Sequence, residues 1–206
     1  EKKNTVSDYM VEEQARQTSL STSLIPVEWN GYKINILDTP GSEEFIGEIE
    51  NDLSVVDGAI VVIDSTKGVE VGTERVWEAL RERNIPTIIL LNKFDKENVK
   101  PGQVLASVKG LNKAAVPICL PIGSEASSKG YMDVINKKAY IEGKEAPVPS
   151  EYAGKLDDYI MAISEVVAET SEELLEKFFG GEELTADEIR QGLKDGVVSC
   201  DVFPVV

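Results

Sequence analysis

Apolar residues along the first half of the chain fall into short runs, each closing on a polar or charged residue. Residues 32–37 alternate and end at Asp38, the period of a strand. Phe45, Ile49 and Leu53 recur every four residues, the stripe of an amphipathic helix. Residues 58–64 carry the run Ala-Ile-Val-Val-Ile, which predicts a parallel strand buried on both faces. Residues 73–83 read as a helix with Val76 and Leu80 inward, and 87–91 as a third strand ending at Asn92. The polar stretch 1–24 has little periodicity and reads as a mobile loop.

After about residue 112 the pattern changes. Residues 116–122 read as a strand and 131–141 as one or two more, with 142–150 a connector marked by Gly143, Pro147 and Pro149. Three helical patterns follow. Tyr152, Leu156, Ile160 and Ile163 mark the first; Thr170 with Glu173 and Thr185 with Glu188 predict capping boxes for the next two, with Gly180-Gly181 between them. Residues 200–206 return to a β-rich run. The alternation before residue 112 predicts a mostly parallel sheet flanked by helices, an α/β fold, with an inserted α+β subdomain at 112–198 and a return strand at 199–206.

Charge and composition narrow the chemistry. The formal charge is −16, with no histidine among 206 residues. So acidic a chain repels phosphate backbones, and direct nucleic-acid binding is not expected. The commonest general base and zinc ligand is missing. Cys119 and Cys200 stand far apart without metal-ligand spacing and read as free thiols. No run approaches the ~18 apolar residues of a membrane span.

Two motifs sit where α/β sheets bind ligands, at carboxyl ends of strands. Asp38-Thr39-Pro40-Gly41 offers a carboxylate for a magnesium ion, held through water, and a Gly41 amide for a phosphate oxygen. Asn92-Lys93-Phe94-Asp95 offers a carboxylate that can accept guanine N1–H and N2–H₂ together. Adenine presents no such pair of donors, and a site built on these bonds rejects it. Asn92 can bond the purine's other edge or brace loops, and the Lys93 stem can lie along the ring. No Gly-x-x-x-x-Gly-Lys-[Ser/Thr] phosphate loop occurs in the sequence, which begins at Glu1. The chain therefore reads as an interior piece of a larger protein, with weak or absent nucleotide affinity expected on its own.

These motifs, with 56–62, Gly68-Val69-Glu70, Leu120-Pro121-Ile122-Gly123, Lys138-Ala139-Tyr140 and 200–205, resemble the GTPase domain of translational GTPases, elongation factor G and its paralogues in particular. The resemblance implies a Ras-like P-loop GTPase core at 1–111 holding switch I, switch II and the guanine-recognition motif. It implies GTP/GDP and Mg²⁺ as ligands, with Asp38 and Gly41 at the magnesium and γ-phosphate, and Asn92, Lys93 and Asp95 at the base. Ser19 falls where switch I of the family places a magnesium-binding threonine. Ser42 replaces the family's usual histidine, which orients the attacking water, and its shorter side chain puts fast hydrolysis in doubt. Glu43 and Glu44 read as first-turn carboxylates complementing a helix dipole.

The implied activity is GTP hydrolysis on the ribosome by the full-length, cytoplasmic protein, with the insert in reach of the ribosomal stalk and no membrane association. Two kindred readings share this chemistry, tetracycline-resistance-type ribosomal protection and release-factor recycling. A non-hydrolysing, partner-binding scaffold is a reading of another class. Trp29, Trp77 and the Phe178/Phe179 pair are expected in the core.

Overall fold

The computed structural model describes residues 5–123 and 129–206, with the Glu43 side chain left out. Two units divide the chain, Glu1–Asp57 and Gly58–Val206.

In the first unit a short helix, α1 (Val11–Arg16), is followed by two paired strands, β1 (Ser23–Trp29) and β2 (Tyr32–Asp38). The strands form an antiparallel hairpin in which Ser23 faces Asp38 and Trp29 faces Tyr32. Asn30 and Gly31 make the turn, both at positive φ (49° and 79°), the Asn-Gly chemistry of a type I′ hairpin. A 3-10 turn at Glu43–Phe45 leads into α2 (Ile46–Asp52).

Several expectations are corrected here. The 1–24 stretch is not all loop: it contains α1 and the start of β1. Strand β2 follows the predicted residues, but its described partner is the antiparallel β1 rather than a parallel neighbour. Glu43 and Glu44 lie in the 3-10 turn ahead of the α-helix, and the Glu43 side chain lies outside the described residues. Trp29 is 64% exposed on the hairpin, not in a core.

The second unit is built on a parallel sheet ordered β3-β4-β10-β5, from β3 (Ala59–Asp64), β4 (Thr87–Asn92), β10 (Phe203–Val205) and β5 (Ala115–Pro117). Helix α3 (Val71–Glu82) connects β3 to β4, and α4 (Pro101–Leu111) connects β4 to β5. Leu80 and Trp77 of α3 are buried, and Val76 is half-buried. Val61 and Ile63 are buried, but Ile60 and Val62 are 66% and 57% exposed. The continuous apolar run thus does not correspond to burial on both faces. Arg81 links the elements: its guanidinium lies 4.8 Å over Trp77 and 4.3 Å over Phe203. It donates to Ile85 O at 2.6 Å and Thr87 Oγ1 at 2.7 Å.

A second, antiparallel sheet runs β6 (Cys119–Ile122), β7 (Gly130–Asp133), β8 (Lys138–Ile141), β9 (Lys144–Ala146) in chain order. The apolar run at 116–122 is split between β5 and β6, which belong to different sheets, and the expected connector contains β9. Helices α5 (Ala153–Ala168), α6 (Glu172–Phe179) and α7 (Ala186–Val198) complete the segment. Met132, Val134, Ala139, Ile163, Val167 and Ile189 form one core with Val116 of β5 and Val202, the residue before β10. Phe179 is 79% exposed at the end of α6, against expectation.

Caps explain two helix starts. Thr185 Oγ1 accepts the Glu188 N–H at 3.3 Å and the Glu188 carboxylate accepts the Thr185 N–H at 2.7 Å, the predicted box. For α6 the cap is Ser171, one residue after the expected Thr170; Ser171 Oγ accepts the Leu174 N–H at 3.2 Å. Thr170 Oγ1 instead donates to Val167 O at the end of α5.

Candidate functional site

In the first unit, the loop between α1 and β1 is organised by one buried carboxylate. Glu13 is fully buried. Its Oε1 accepts the N–H of Leu20 at 3.0 Å and of Ser21 at 3.4 Å, and its Oε2 that of Met10 at 3.1 Å. The Leu20 bond is the largest influence on its pKa, outweighing burial, and the net shift is downward. Ser19, the expected metal-binding hydroxyl, stands beside these amides and donates to Asp8 Oδ1 at 2.7 Å. Thr22 fastens the loop's end to α2, through Glu48 Oε2 at 3.2 Å and Asp52 Oδ2 at 2.6 Å. Sequence reading missed Glu13; the signal available was its place three residues after Met10, in capping-box register.

Asp38 is half-buried at the end of β2, opposite Ser23 in the ladder. Pro40 is buried and Gly41 exposed. Gly41 is not in the left-handed region, and a Cβ there would meet nothing within 4 Å. Its own surroundings therefore do not demand glycine. Ser42 accepts the Phe45 N–H through its carbonyl at 3.0 Å, opening the 3-10 turn.

In the second unit the β3–β4 register places Asp64 directly opposite Asn92. The Ser65 N–H donates to Asn92 O at 2.9 Å. Asn92 Oδ1 accepts the Lys93 N–H at 2.8 Å, so Asn92 braces its own loop, with Lys93 at φ 66°. Lys93 Nζ reaches Asp64 Oδ2 at 2.6 Å. Asp95 is two-thirds exposed and lies 3.3 Å from Lys96 Nζ. The structure thus gathers Asn92, Lys93 and Asp95 on one loop with Asp64 beside them. Ser65 Oγ, buried, has no hydrogen-bond partner among the described residues. It lines a cavity of about 100 Å³ with Gln103 and Lys100, which has room for water.

The donor set suits the implied ligands. Asp95 is two-thirds exposed, with Oδ2 against Lys96 Nζ, and a carboxylate's two oxygens are the complement of paired guanine donors. Asp38 and Ser19 are hard oxygen ligands of the kind Mg²⁺ takes. Among the described residues no group of three or more His, Cys, Asp or Glu could hold a metal by itself.

Comparison with known proteins decides the family. The family described as "Elongation factor Tu GTP binding domain" matches residues 1–200. The chain belongs to this family of translational GTPases. The crystal structure of a Thermus thermophilus protein, ttk003000868, superposes with a TM-score of 0.89 at 30% identity, over 98% of this chain. The chain spans 31% of that protein's length. The family is one of GTP binding domains, and the α/β core with its antiparallel sheet and helices has the fold of a translational GTPase. Among the described residues no helix is long and apolar enough to cross a membrane.

Proposed function

We propose that the whole protein of which this chain is part binds GTP with Mg²⁺ and hydrolyses it on the ribosome as a factor of the elongation factor G type, in the cytoplasm. The observation that carries this reading is the Asn92–Asp95 loop: a braced backbone presenting an exposed carboxylate at the carboxyl end of a parallel strand. Asp95 accepts guanine N1–H and N2–H₂, Lys93 lies along the base, and Asn92 holds the loop. Asp38 takes the magnesium through water and Gly41 the γ-phosphate. Ser19 contributes a hydroxyl to the metal once released from Asp8. Residues 1–111 then form the core together with β5, the rest of 112–198 an inserted subdomain within reach of the ribosomal stalk, and 199–206 the return strand.

Bound Mg²⁺ would neutralise charge developing on the phosphates. Ser42 lacks a titratable nitrogen at the water-orienting position, so slow hydrolysis is expected, and a non-hydrolysing scaffold is the reading this residue favours as alternative. Titration of fluorescent GDP with Mg²⁺, using ADP as control, tests the proposal. This chain should bind weakly, and a version extended upstream by about 40 residues, enough for a strand–loop–helix unit, should bind GDP with submicromolar Kd. Equal affinity for GDP and ADP in the extended form would sink it. Ribosome-stimulated single-turnover hydrolysis then separates enzyme from scaffold.

A further inference from the structure

We infer that Asp64, outside the Asn92–Asp95 motif, is a positioning residue for guanine recognition that acts by holding the Lys93 ammonium. The inference rests on the proposed base-binding role of that motif. Asp64 is the last residue of β3, and the parallel register sets it level with Asn92 on β4. Its Oδ1 is engaged by the Thr66 N–H at 3.0 Å and the Thr66 hydroxyl at 2.7 Å. Its carbonyl accepts the N–H groups of Lys67 and Gly68, both at 2.9 Å. The carboxylate is therefore fixed from its own loop, with Oδ2 left to take Lys93 Nζ at 2.6 Å.

Lys93 is held at its other end as well. Its left-handed backbone is kept in place by the bond from its N–H to Asn92 Oδ1. With both ends tethered, the methylene stem is laid out before any base arrives. Binding then need not order a long, flexible side chain. Lys93 side-chain exposure of 50% against 21% for Asp64 makes the pair a poor source of folding stability, so its worth lies in placement. The Lys93 hydrogen bond, followed by those of Thr66, holds the Asp64 carboxyl well below the usual carboxylate range, so it stays charged at neutral pH.

A double-mutant cycle on the whole protein tests this, with Asp64→Asn, Lys93→Met and the double variant titrated with GDP and ADP. Asp64→Asn should weaken GDP about tenfold while leaving Tm within a few degrees, and should add nothing once Lys93 is Met. Thr66→Val, which loosens the same carboxylate more gently, should weaken GDP two- to threefold, again only when Lys93 is present; it carries the test if Asp64→Asn does not fold. Wild-type affinity in both Asp64→Asn and Thr66→Val, or losses that multiply with that of Lys93→Met, would overturn the role of Asp64 while leaving guanine recognition standing. A wild-type protein with no preference for GDP over ADP would overturn both.

Discussion

Glu13 Oε1 accepts the Leu20 N–H at 3.0 Å, across the loop that carries Ser19. Together with the Met10 and Ser21 amides, this makes one buried carboxylate the organiser of the loop's backbone. Glu13→Ala should leave those donors unsatisfied and release the loop. Amide hydrogen exchange should then speed up at Met10 and Leu20 while β3 and β4 exchange as before.

The same carboxylate predicts a pH dependence. Its folded pKa lies below the ordinary value of about 4.3, so it binds protons less readily folded than unfolded. Its contribution is fully present above that value and is lost as pH falls through the lower, folded one. Exchange protection at Leu20 should therefore hold at neutral pH and fail only in acid, below the ordinary carboxylate range. Glu13→Gln should flatten this response, and unchanged acid sensitivity in that variant would rule Glu13 out as its source.

The α7 cap offers a second acid-sensitive point in the other unit. Lys177 first, then Thr185, hold Glu188 down to about 2. Its contribution is present above the ordinary carboxylate range and disappears as pH falls from about 4 towards 2. Calorimetry should show Glu188→Gln less stable than wild type at pH 6, with the gap closing at the acid end. Thr185→Ala should cost about 1 kcal/mol at pH 6, lowering Tm by roughly 2–4 °C, and less in acid, where the Glu188 carboxylate that accepts its hydroxyl is protonated.

Where sequence and structure agree, the reason is local chemistry. The Thr185–Glu188 box and strands β3 and β4 were legible because spacing and apolar runs report on neighbours along the chain. Strand β1 was missed because Ser23 and Pro26 break its pattern, and its stability comes from pairing with β2. The split of 116–122 into two strands depends on β5 pairing with β10, some 90 residues away, which periodicity cannot see. In the candidate site Asn92, Lys93 and Asp95 could be read from a motif. Asp64 could not, since it acts through a contact that only the folded register creates, and for Glu13 the sequence offered only its place three residues after Met10.

Gly192 faces Val167 so closely that an added Cβ would lie 2.3 Å from its Cγ1. Gly192→Ala should therefore overpack the contact between α7 and α5 and destabilise by about 1–3 kcal/mol. Gly110→Ala on α4, where a Cβ meets nothing within 4 Å, serves as the control. It should be neutral or stabilising by up to about 1 kcal/mol. Equal Tm values for both variants would contradict the packing argument.

Asp95→Asn addresses the base. An amide presents one acceptor and one donor where the carboxylate had two acceptors, so guanine loses one bond and gains a clash of donors. GDP affinity of the whole protein should fall by about 10³-fold or more. Xanthosine diphosphate, with a carbonyl in place of the 2-amino group, should gain, because the new amide N–H can donate to it. Titration with both nucleotides checks the exchange; parallel losses for the two would point to damage elsewhere in the loop.

Ser42→His asks whether hydrolysis is limited by the residue after Gly41. The first unit leaves room there: Gly41 has open surroundings, and Ser42 enters a short 3-10 turn through its carbonyl, not its side chain. An imidazole can therefore be accommodated without breaking a described backbone bond. It would also restore a longer polar reach toward an attacking water, a contribution worth roughly 10²–10⁴-fold when well placed. Ribosome-stimulated single-turnover hydrolysis by the whole protein should rise by at least tenfold, with GDP affinity unchanged, because the substitution lies outside the base-binding loop. A rise in rate would identify Ser42 as the brake on an otherwise competent site. Unchanged rates with intact GDP binding would place the limit elsewhere and favour the scaffold reading.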